Sequence, residues 1–438
     1  MRVWVAGLLL LACGPTDRAV PRACPARAPA PELMPGVSRQ ESSLAYWLER
    51  AGAALDVPLL SVEQIDAHEA RLASRGRGGH GDAILLEVPE STSLLARVRA
   101  RLDPLYAAAS EGRLVGPGGE RLGAAELAPL IAPRELPPPA PEVRVALAPV
   151  AIHCAPRTEP LYHLPIDDRF DRNLCSTLRP QEAAQLLLRW PDGPVLARTR
   201  YVIGWLDAGA PLSAPLSEAD ARAWLASERV VLGEARELAG TPIAAGTILP
   251  APEGEVLVAT RAGVERPMRP ASAMMTTRPI TRRAVLEAAF ARLGERYGWA
   301  GARGGIDCSQ LVQEIFASFG LHLPRNSGEQ AHAGTSAIEL RPSDGEAMRE
   351  RILDAAQARG VVLLHLPGHV MLYLGRAQDG RPMALHALAE YVEPCEGGGE
   401  TLRVVDRVVV SDLALGRGSS RRALLERLTR VVVFGDQQ

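Results

Sequence analysis

Apolar residues recur at helical spacing directly after Cys308. They lie at Leu311, Val312, Ile315, Phe316 and Phe319, which is one stripe of an amphipathic helix. Gly320 and Pro324 then end the pattern. Cys308 is therefore predicted to lie in the first turn of a helix, after a glycine-rich approach.

Further along the chain, short apolar runs predict three strands. Residues 361–366 and 369–374 flank Pro367-Gly368, and residues 383–388 form the third run. For His369 and His386 to lie directly opposite each other, the hairpin must be centred between residues 377 and 378. The turn signal at 378–380 lies within about two residues of that point. Both imidazoles are thus expected on one face of a sheet.

Upstream, the pattern changes twice. Residues 38–135 have the periodicity of amphipathic helices, and the proline-rich stretch at 137–141 marks a linker. Residues 143–210 carry short β-like runs between turn signals, which predict a small barrel. A helix beginning at Ser217 and a turn-rich β pattern predict a second barrel over 211–275, leaving 276–438 as the C-terminal domain.

The first residues predict export. Arg2 precedes an apolar run at 3–12, too short to span a bilayer, which ends at Cys13. Residues 1–12 then form a lipoprotein signal whose lipidation site is Cys13, and residues 13–37 form a linker. The protein is expected in the cell envelope, anchored in a membrane and facing the periplasm or the cell exterior. An uncleaved apolar start is the alternative.

Composition indicates how many domains the chain can form and argues against one class of function. The 438 residues, 47% of them hydrophobic, are enough for several domains. The net charge of −2 argues against a nucleic-acid binder, for which a clustered basic excess is expected.

Cys308 and two histidines have the residue types of a cysteine hydrolase. Unpaired N–H groups at the start of a helix favour the thiolate of Cys308. His369 is the candidate base and His386 the residue that orients it. A buried packing cysteine is the alternative for Cys308, and His365 is the other candidate base.

Four short blocks resemble the NlpC/P60 peptidoglycan endopeptidases, over roughly residues 276–438. These blocks are Tyr297-Gly298-Trp299, Asp307-Cys308-Ser309, Leu323-Pro324-Arg325-Asn326-Ser327 with Gln330, and Pro367-Gly368-His369-Val370. The resemblance implies a papain-like α+β fold and cleavage of γ-D-glutamyl bonds to a diamino acid. It makes Cys308 the nucleophile, His369 the base and His386 the third residue. It also implies that Tyr297, Asp307 and Ser309 line the substrate pocket. Ala300 and Gln310 stand where the family often has glycine.

Residues 143–210 resemble the bacterial SH3-like domain that precedes the catalytic domain in relatives, through Phe170-Asp171-Arg172, Asp192-Gly193 and 201–205. In relatives this barrel closes over the cleft and holds the free amine of the stem peptide. That resemblance makes Tyr201 and Asp168 candidate substrate-binding residues.

The remaining cysteines suit an exported protein, in which disulfides are plausible. Cys154 and Cys175 lie in one predicted barrel and are expected to pair. Cys395 is expected to be a buried thiol.

Together these patterns predict a multidomain α+β protein: a helical N-terminal region, two SH3-like barrels and a papain-like catalytic domain. Its predicted chemistry is hydrolysis of cell-wall stem peptides through a thioester, without metal or cofactor. An amidase or acyltransferase on the same scaffold is one alternative. A non-catalytic wall-binding lipoprotein is the other.

Overall fold

The computed structural model describes residues 24–75, 81–123, 125–127, 141–189, 193–267, 274–276 and 279–435. Within these residues the protein is a mixed α+β structure, as the sequence predicts. No helix among them has the length and apolar character that a membrane span requires. The predicted signal, Cys13 and most of the linker at 137–141 lie outside the described residues.

The C-terminal domain is built on a seven-stranded sheet. In spatial order its strands are Arg27–Pro29, Glu400–Asp412, Pro382–Pro394, His369–Arg376, Val361–Leu366, Arg430–Phe434 and Ser336–Glu339. All neighbouring strands are antiparallel except the first pair. The three strands predicted from the apolar runs are therefore present, and His369 begins the second of them.

Helices cover this sheet. They are Arg282–Phe290, Cys308–Ala317, Ser327–Gln330, Glu346–Arg359 and Leu424–Arg427, with a 3₁₀ segment at Trp299–Gly304. The helix Cys308–Ala317 buries almost its whole length, because it packs on strands His369–Arg376 and Pro382–Pro394 of the sheet and also contacts helices Arg282–Phe290 and Ser327–Gln330. Cys308 is therefore held by close packing around nearly the whole helix.

The segment 24–37 differs from the predicted linker. Residues Arg27–Pro29 add a parallel strand to Glu400–Asp412. A disulfide joins Cys24 to Cys395, so the prediction that Cys395 is a free buried thiol is wrong. The described part of this segment is thus held on the C-terminal sheet by strand pairing and by a covalent bond.

The predicted helical region does contain helices, but they belong to two different cores. The helices Leu44–Ala51 and Val62–Ser74 contribute Trp47 and Leu72 to the core of the C-terminal domain. The helix Ser91–Ser110 instead packs Leu94, Val98 and Leu102 against residues of the first sheet domain. Short 3₁₀ segments lie at Gly52–Ala54 and Asp82–Leu86, and strand Leu114–Val115 pairs with Tyr162–His163.

Residues 143–210 hold most of a six-stranded antiparallel sheet. In spatial order its strands are Glu142–Val145, Ala183–Arg189, Val195–Arg198, Ile203–Leu206, Val150–His153 and Leu174–Leu178. Among the described residues the two edge strands do not pair, so no closed barrel forms. The disulfide Cys154–Cys175 lies in this domain, which confirms that predicted pairing.

Residues 211–275 form a smaller unit with one helix, Glu218–Ala226, and a 3₁₀ turn at Pro252–Gly254. Its described strands make a three-stranded sheet and two hairpins, not a closed barrel: Ile248–Pro250, Arg229–Leu232 and Met274–Thr276; Arg236–Leu238 with Thr241–Ile243; Val258–Thr260 with Gly263–Glu265.

Candidate active site

Asp307 fixes the start of the helix that carries Cys308. Its carboxylate accepts hydrogen bonds from the backbone N–H groups of Gln310, at 2.8 Å, and Ala300, at 2.9 Å. The first bond caps the helix. The second pins the glycine-rich approach, in which Ala300 and Gly301 both have positive φ. Cys308 therefore lies at the helix N-terminus that the sequence predicts, with its approach loop tied to the same carboxylate.

Cys308 and His369 line one cavity of about 350 Å³, here called the Cys308 cavity. Three predicted substrate-binding residues, Tyr297, Asp307 and Ser309, line it as well. The cavity lies between the start of the Cys308 helix, the turn before strand His369–Arg376 and the strand Pro382–Pro394.

A chain of hydrogen bonds leads from His369 into the sheet. The Nε2 atom of His369 lies 2.7 Å from Nδ1 of His386, and Nε2 of His386 lies 2.9 Å from Oγ of Ser411. If Nε2–H of each imidazole donates along this chain, Nδ1 of His369 is left with a free lone pair. That atom can then accept a proton from the thiol.

The two histidines were predicted to lie directly opposite each other, but they lie on diagonal positions of the two strands. Leu372 pairs with Leu385, and continuing this register sets His386 opposite Met371, two residues from His369 on the same face. Diagonal neighbours on one face remain within reach of long side chains. The shared face is confirmed, while the predicted register is wrong.

Burial controls the protonation of this pair. Burial, and then the negative charge of Asp307, raises the pKa of the Cys308 thiol to about 12. The backbone N–H groups of Val370 and Ser309 favour the thiolate, but by less. Burial, and then the positive charge of Arg427, lowers the pKa of His369 to about 3. The predicted thiolate is therefore not the resting form: the site holds a thiol beside a neutral imidazole.

The NlpC/P60 family profile matches residues 294–394, which include Cys308, His369 and His386. The C-terminal domain belongs to the NlpC/P60 family.

Named relatives match parts of this chain. Peptidoglycan endopeptidase RipB of Mycobacterium tuberculosis is 32% identical over 111 residues, 22% of this chain and 40% of that protein. The γ-D-glutamyl-L-lysine dipeptidyl-peptidase of Bacillus cereus is 33% identical over 84 residues, 19% of this chain and 23% of that protein. A probable endopeptidase of M. tuberculosis is 42% identical over 66 residues, 14% of this chain and 17% of that protein. The chain thus spans well under two thirds of each relative.

The likeness of the fold extends beyond the family domain. An NlpC/P60 endopeptidase from Photobacterium damselae subsp. piscicida superposes with a TM-score of 0.66 at 14% sequence identity, covering 87% of this chain and 95% of that one. The arrangement of the N-terminal regions around the NlpC/P60 domain is therefore shared with a solved structure.

Arg325 is a buried residue of the site, and the sequence predicted no role for it. Its guanidinium binds both carboxylate oxygens of Asp307, at 2.7 and 3.1 Å, and the hydroxyl of Ser309, at 2.8 Å. Its Nε donates to Oγ of Ser176, in the first sheet domain, at 2.9 Å. Burial opposes the charge of Asp307, but Arg325 outweighs it and holds the pKa of that carboxyl below its usual value. The signal was present in the sequence, since Arg325 stands in one of the family blocks.

Gln330, from the same block, holds the backbone beside the nucleophile. Its side-chain amide donates to the carbonyl oxygens of Ser309 and Pro324, both at 2.8 Å. Ser411 had no local signal, because it reaches His386 only through strand pairing.

The first sheet domain forms one wall of the Cys308 cavity. Phe170 and Leu174 line it, and the ring of Phe170 meets Trp299 edge-on with centroids 5.6 Å apart. Arg169 joins the two domains, because it binds Asp167 and also Glu390 and Asp406 of the NlpC/P60 domain. This wall is apolar and is held in place by ion pairs.

Four residues singled out in the sequence lie elsewhere. Tyr201 donates to Glu182 at 2.9 Å and lines a different cavity. Asp168 is exposed and 3.5 Å from Arg303. Gln310 is buried beside Gly301 and does not line the Cys308 cavity. His365 bonds to Thr429 at 2.9 Å, also outside the cavity.

Proposed function

We propose that this protein is a cysteine endopeptidase that cleaves the γ-D-glutamyl bond to a diamino acid in peptidoglycan stem peptides. The observation that carries the proposal is that Cys308 and His369 line one cavity, with His369 bonded to the buried His386. The B. cereus relative, named for cleavage at γ-D-glutamyl-L-lysine, supports the bond type.

The chemistry is acyl transfer to water. Nδ1 of His369 takes the thiol proton as Sγ of Cys308 attacks the γ-carbonyl carbon, and the carbonyl electron pair moves onto oxygen. Collapse of this intermediate breaks the C–N bond, and the imidazolium gives its proton to the leaving amine. Water, deprotonated by His369, then attacks the thioester and releases the γ-glutamyl carboxylate and the thiol.

The resting thiol and neutral imidazole fit a mechanism in which the proton moves during attack. A preformed ion pair would place two charges on side chains that burial has removed from water. His386 and Ser411 hold the tautomer of His369 that exposes Nδ1. Their role is to orient the base.

Tyr297 and Ser309 line the cavity beside the nucleophile and are proposed to contact the peptide. Asp307 is engaged by Arg325 and by two backbone N–H groups. We therefore assign Asp307 to positioning Cys308 as well as to lining the pocket. Tyr201, which lines another cavity, is not retained as a substrate contact.

We also propose that residues 143–210 and 211–275 are SH3-like accessory domains and that Cys13 is a lipid anchor in the cell envelope. The support for the anchor is the apolar run at 3–12 before Cys13. Replacing Cys13 with serine is expected to move the protein into the soluble fraction without loss of activity on soluble peptides. Retention of Cys13→Ser on membranes after a high-salt wash would contradict the anchor.

Incubation with defined stem peptides, followed by mass spectrometry of the products, tests the proposed reaction. Wild-type protein is expected to release the diamino acid portion, whereas Cys308→Ala is expected to release none while keeping its melting temperature. His365→Ala is the matched control, because that imidazole lies outside the cavity. Turnover by folded Cys308→Ala would exclude the cysteine mechanism, and cleavage at another bond would favour an amidase.

A further inference from the structure

The charged residues of the Cys308 cavity are paired, with one exception. Arg325 binds Asp307 at 2.7 Å, Arg421 binds Glu390 at 2.7 Å and Arg422 binds Glu426 at 2.9 Å. Arg427 also lines the cavity. Within the described part of the chain, no acidic side chain forms an ion pair with it.

Arg427 lies in a setting that favours an anion. Its guanidinium is half-buried at the end of the helix Leu424–Arg427, just before strand Arg430–Phe434. Burial, and then the positive charge of Arg421, lowers the pKa of Arg427. A desolvated cation beside a second cation gains more from a bound carboxylate than an arginine in water does.

The position of Arg427 relative to His369 indicates which part of a substrate it meets. Arg427 and His369 line the same cavity, and the positive charge of Arg427 helps to lower the pKa of His369. In a cysteine peptidase the histidine protonates the leaving amine, and therefore lies on the leaving-group side of the scissile bond. We therefore place Arg427 on the side of the cavity that holds the leaving residue. The apolar wall with Phe170 comes from another domain.

We propose that Arg427 is a specificity-determining residue that binds a free carboxylate of the leaving diamino acid. This inference rests on the proposed function. Two carboxylates have the required chemistry: the α-carboxylate of a diamino acid at the end of the peptide, and the second carboxylate of diaminopimelate, which lysine lacks. Arginine binds either one through two parallel hydrogen bonds.

Three peptides distinguish between these two carboxylates. L-Ala-γ-D-Glu-L-Lys amide has no carboxylate on the leaving side, the free acid has the α-carboxylate, and the diaminopimelate α-amide has only the second carboxylate. Wild-type protein is expected to cleave at least one carboxylate-bearing peptide about 10- to 100-fold more efficiently than the lysine amide, the usual effect of one charge-assisted pair. The better of the two identifies the source.

Variants test whether the preference for a carboxylate-bearing peptide depends on Arg427. Arg427→Gln is expected to remove the preference, so that kcat/KM becomes the same on the preferred peptide and on the lysine amide. Arg427→Lys is expected to recover part of the loss, because it keeps the charge but not the bidentate geometry. Arg417→Gln is the matched control, since Arg417 pairs with Glu346 and lies outside the cavity.

Equal cleavage of all three peptides by wild-type protein would overturn the role of Arg427 and leave the proposed function standing. A loss in Arg427→Gln that is the same for all three peptides would also overturn it. No cleavage of any peptide would overturn the proposed function, and this inference with it. The wild-type comparison needs no variant, so the inference stays testable if Arg427→Gln does not fold.

Discussion

The Nε2 atom of His369 lies 2.7 Å from the Nδ1 atom of His386, on diagonal positions of two paired strands. Because His386 is buried and bonds onward to Ser411, its imidazole cannot rotate freely. The base of the site is thus oriented from inside the sheet.

His386→Ala is expected to lower kcat/KM by about 10- to 100-fold, less than His369→Ala, because it removes an orienting partner and keeps the base. Ser411→Ala is expected to have a smaller effect, since it acts through His386. Steady-state kinetics on a stem peptide would measure both. A loss in His386→Ala as large as in His369→Ala would show that His386 exchanges a proton with the substrate.

Alkylation of Cys308 by iodoacetamide is expected to quicken about tenfold per pH unit from pH 6 to 9, with no plateau. The reason is that the thiol pKa is raised to about 12, so the reactive thiolate is a minor species that grows with pH throughout this range. Mass spectrometry of the modified peptide gives the rate, with Cys308→Ala as the blank. A rate that stays constant below pH 7 would indicate a preformed thiolate.

Arg325→Met is expected to destabilise the NlpC/P60 domain by about 3–5 kcal/mol, because it leaves the buried carboxylate of Asp307 without its partner. The double variant Arg325→Met, Asp307→Asn is expected to recover part of this loss, since asparagine still caps the helix. Arg303→Gln breaks only an exposed pair with Asp168 and serves as the control. Denaturant unfolding would measure all three. Additive effects of the two substitutions would contradict the coupling.

Replacing Cys24 and Cys395 together with serine is expected to expose the segment 24–37 to trypsin, because only non-covalent contacts, a short strand pairing and a half-exposed ion pair of Arg27 with Asp167, then hold its start. Intact-mass analysis during limited proteolysis would follow cleavage after Arg27. Activity on soluble peptides is expected to stay within about twofold, since neither cysteine lines the Cys308 cavity. Equal protease resistance of the variant would show that the non-covalent contacts hold the segment without the disulfide.

Local patterns predicted much of the NlpC/P60 domain. The spacing of apolar residues after Cys308 indicated the helix, and the Pro-Gly turn indicated that His369 begins a strand. The register between His369 and His386 could not be predicted in the same way. A β-bulge between Tyr373 and Gly375 shifts the pairing, and an extra residue in one strand leaves no clear mark in the apolar alternation.

Contacts between distant parts of the chain also could not be predicted from the sequence. Cys24 and Cys395 are 371 residues apart, and sequence alone does not fix which cysteines pair. Arg325 is similar: the family block includes it, but its bond to Asp307 depends on the fold of the NlpC/P60 domain, and its bond to Ser176 depends on how two domains pack.

The sequence by itself determined which reactive groups this protein has: a cysteine at a helix start, two histidines on one sheet face, and family blocks around Cys308 and His369. Only the tertiary structure decided the protonation state of these groups and which residues surround them. Helix termini and dipoles act locally and favour a thiolate, whereas burial depends on everything packed around the site. Here burial outweighs the helix, so Cys308 rests as a thiol, and the fold places Arg427 in the same cavity as His369 without an acidic partner among the described residues.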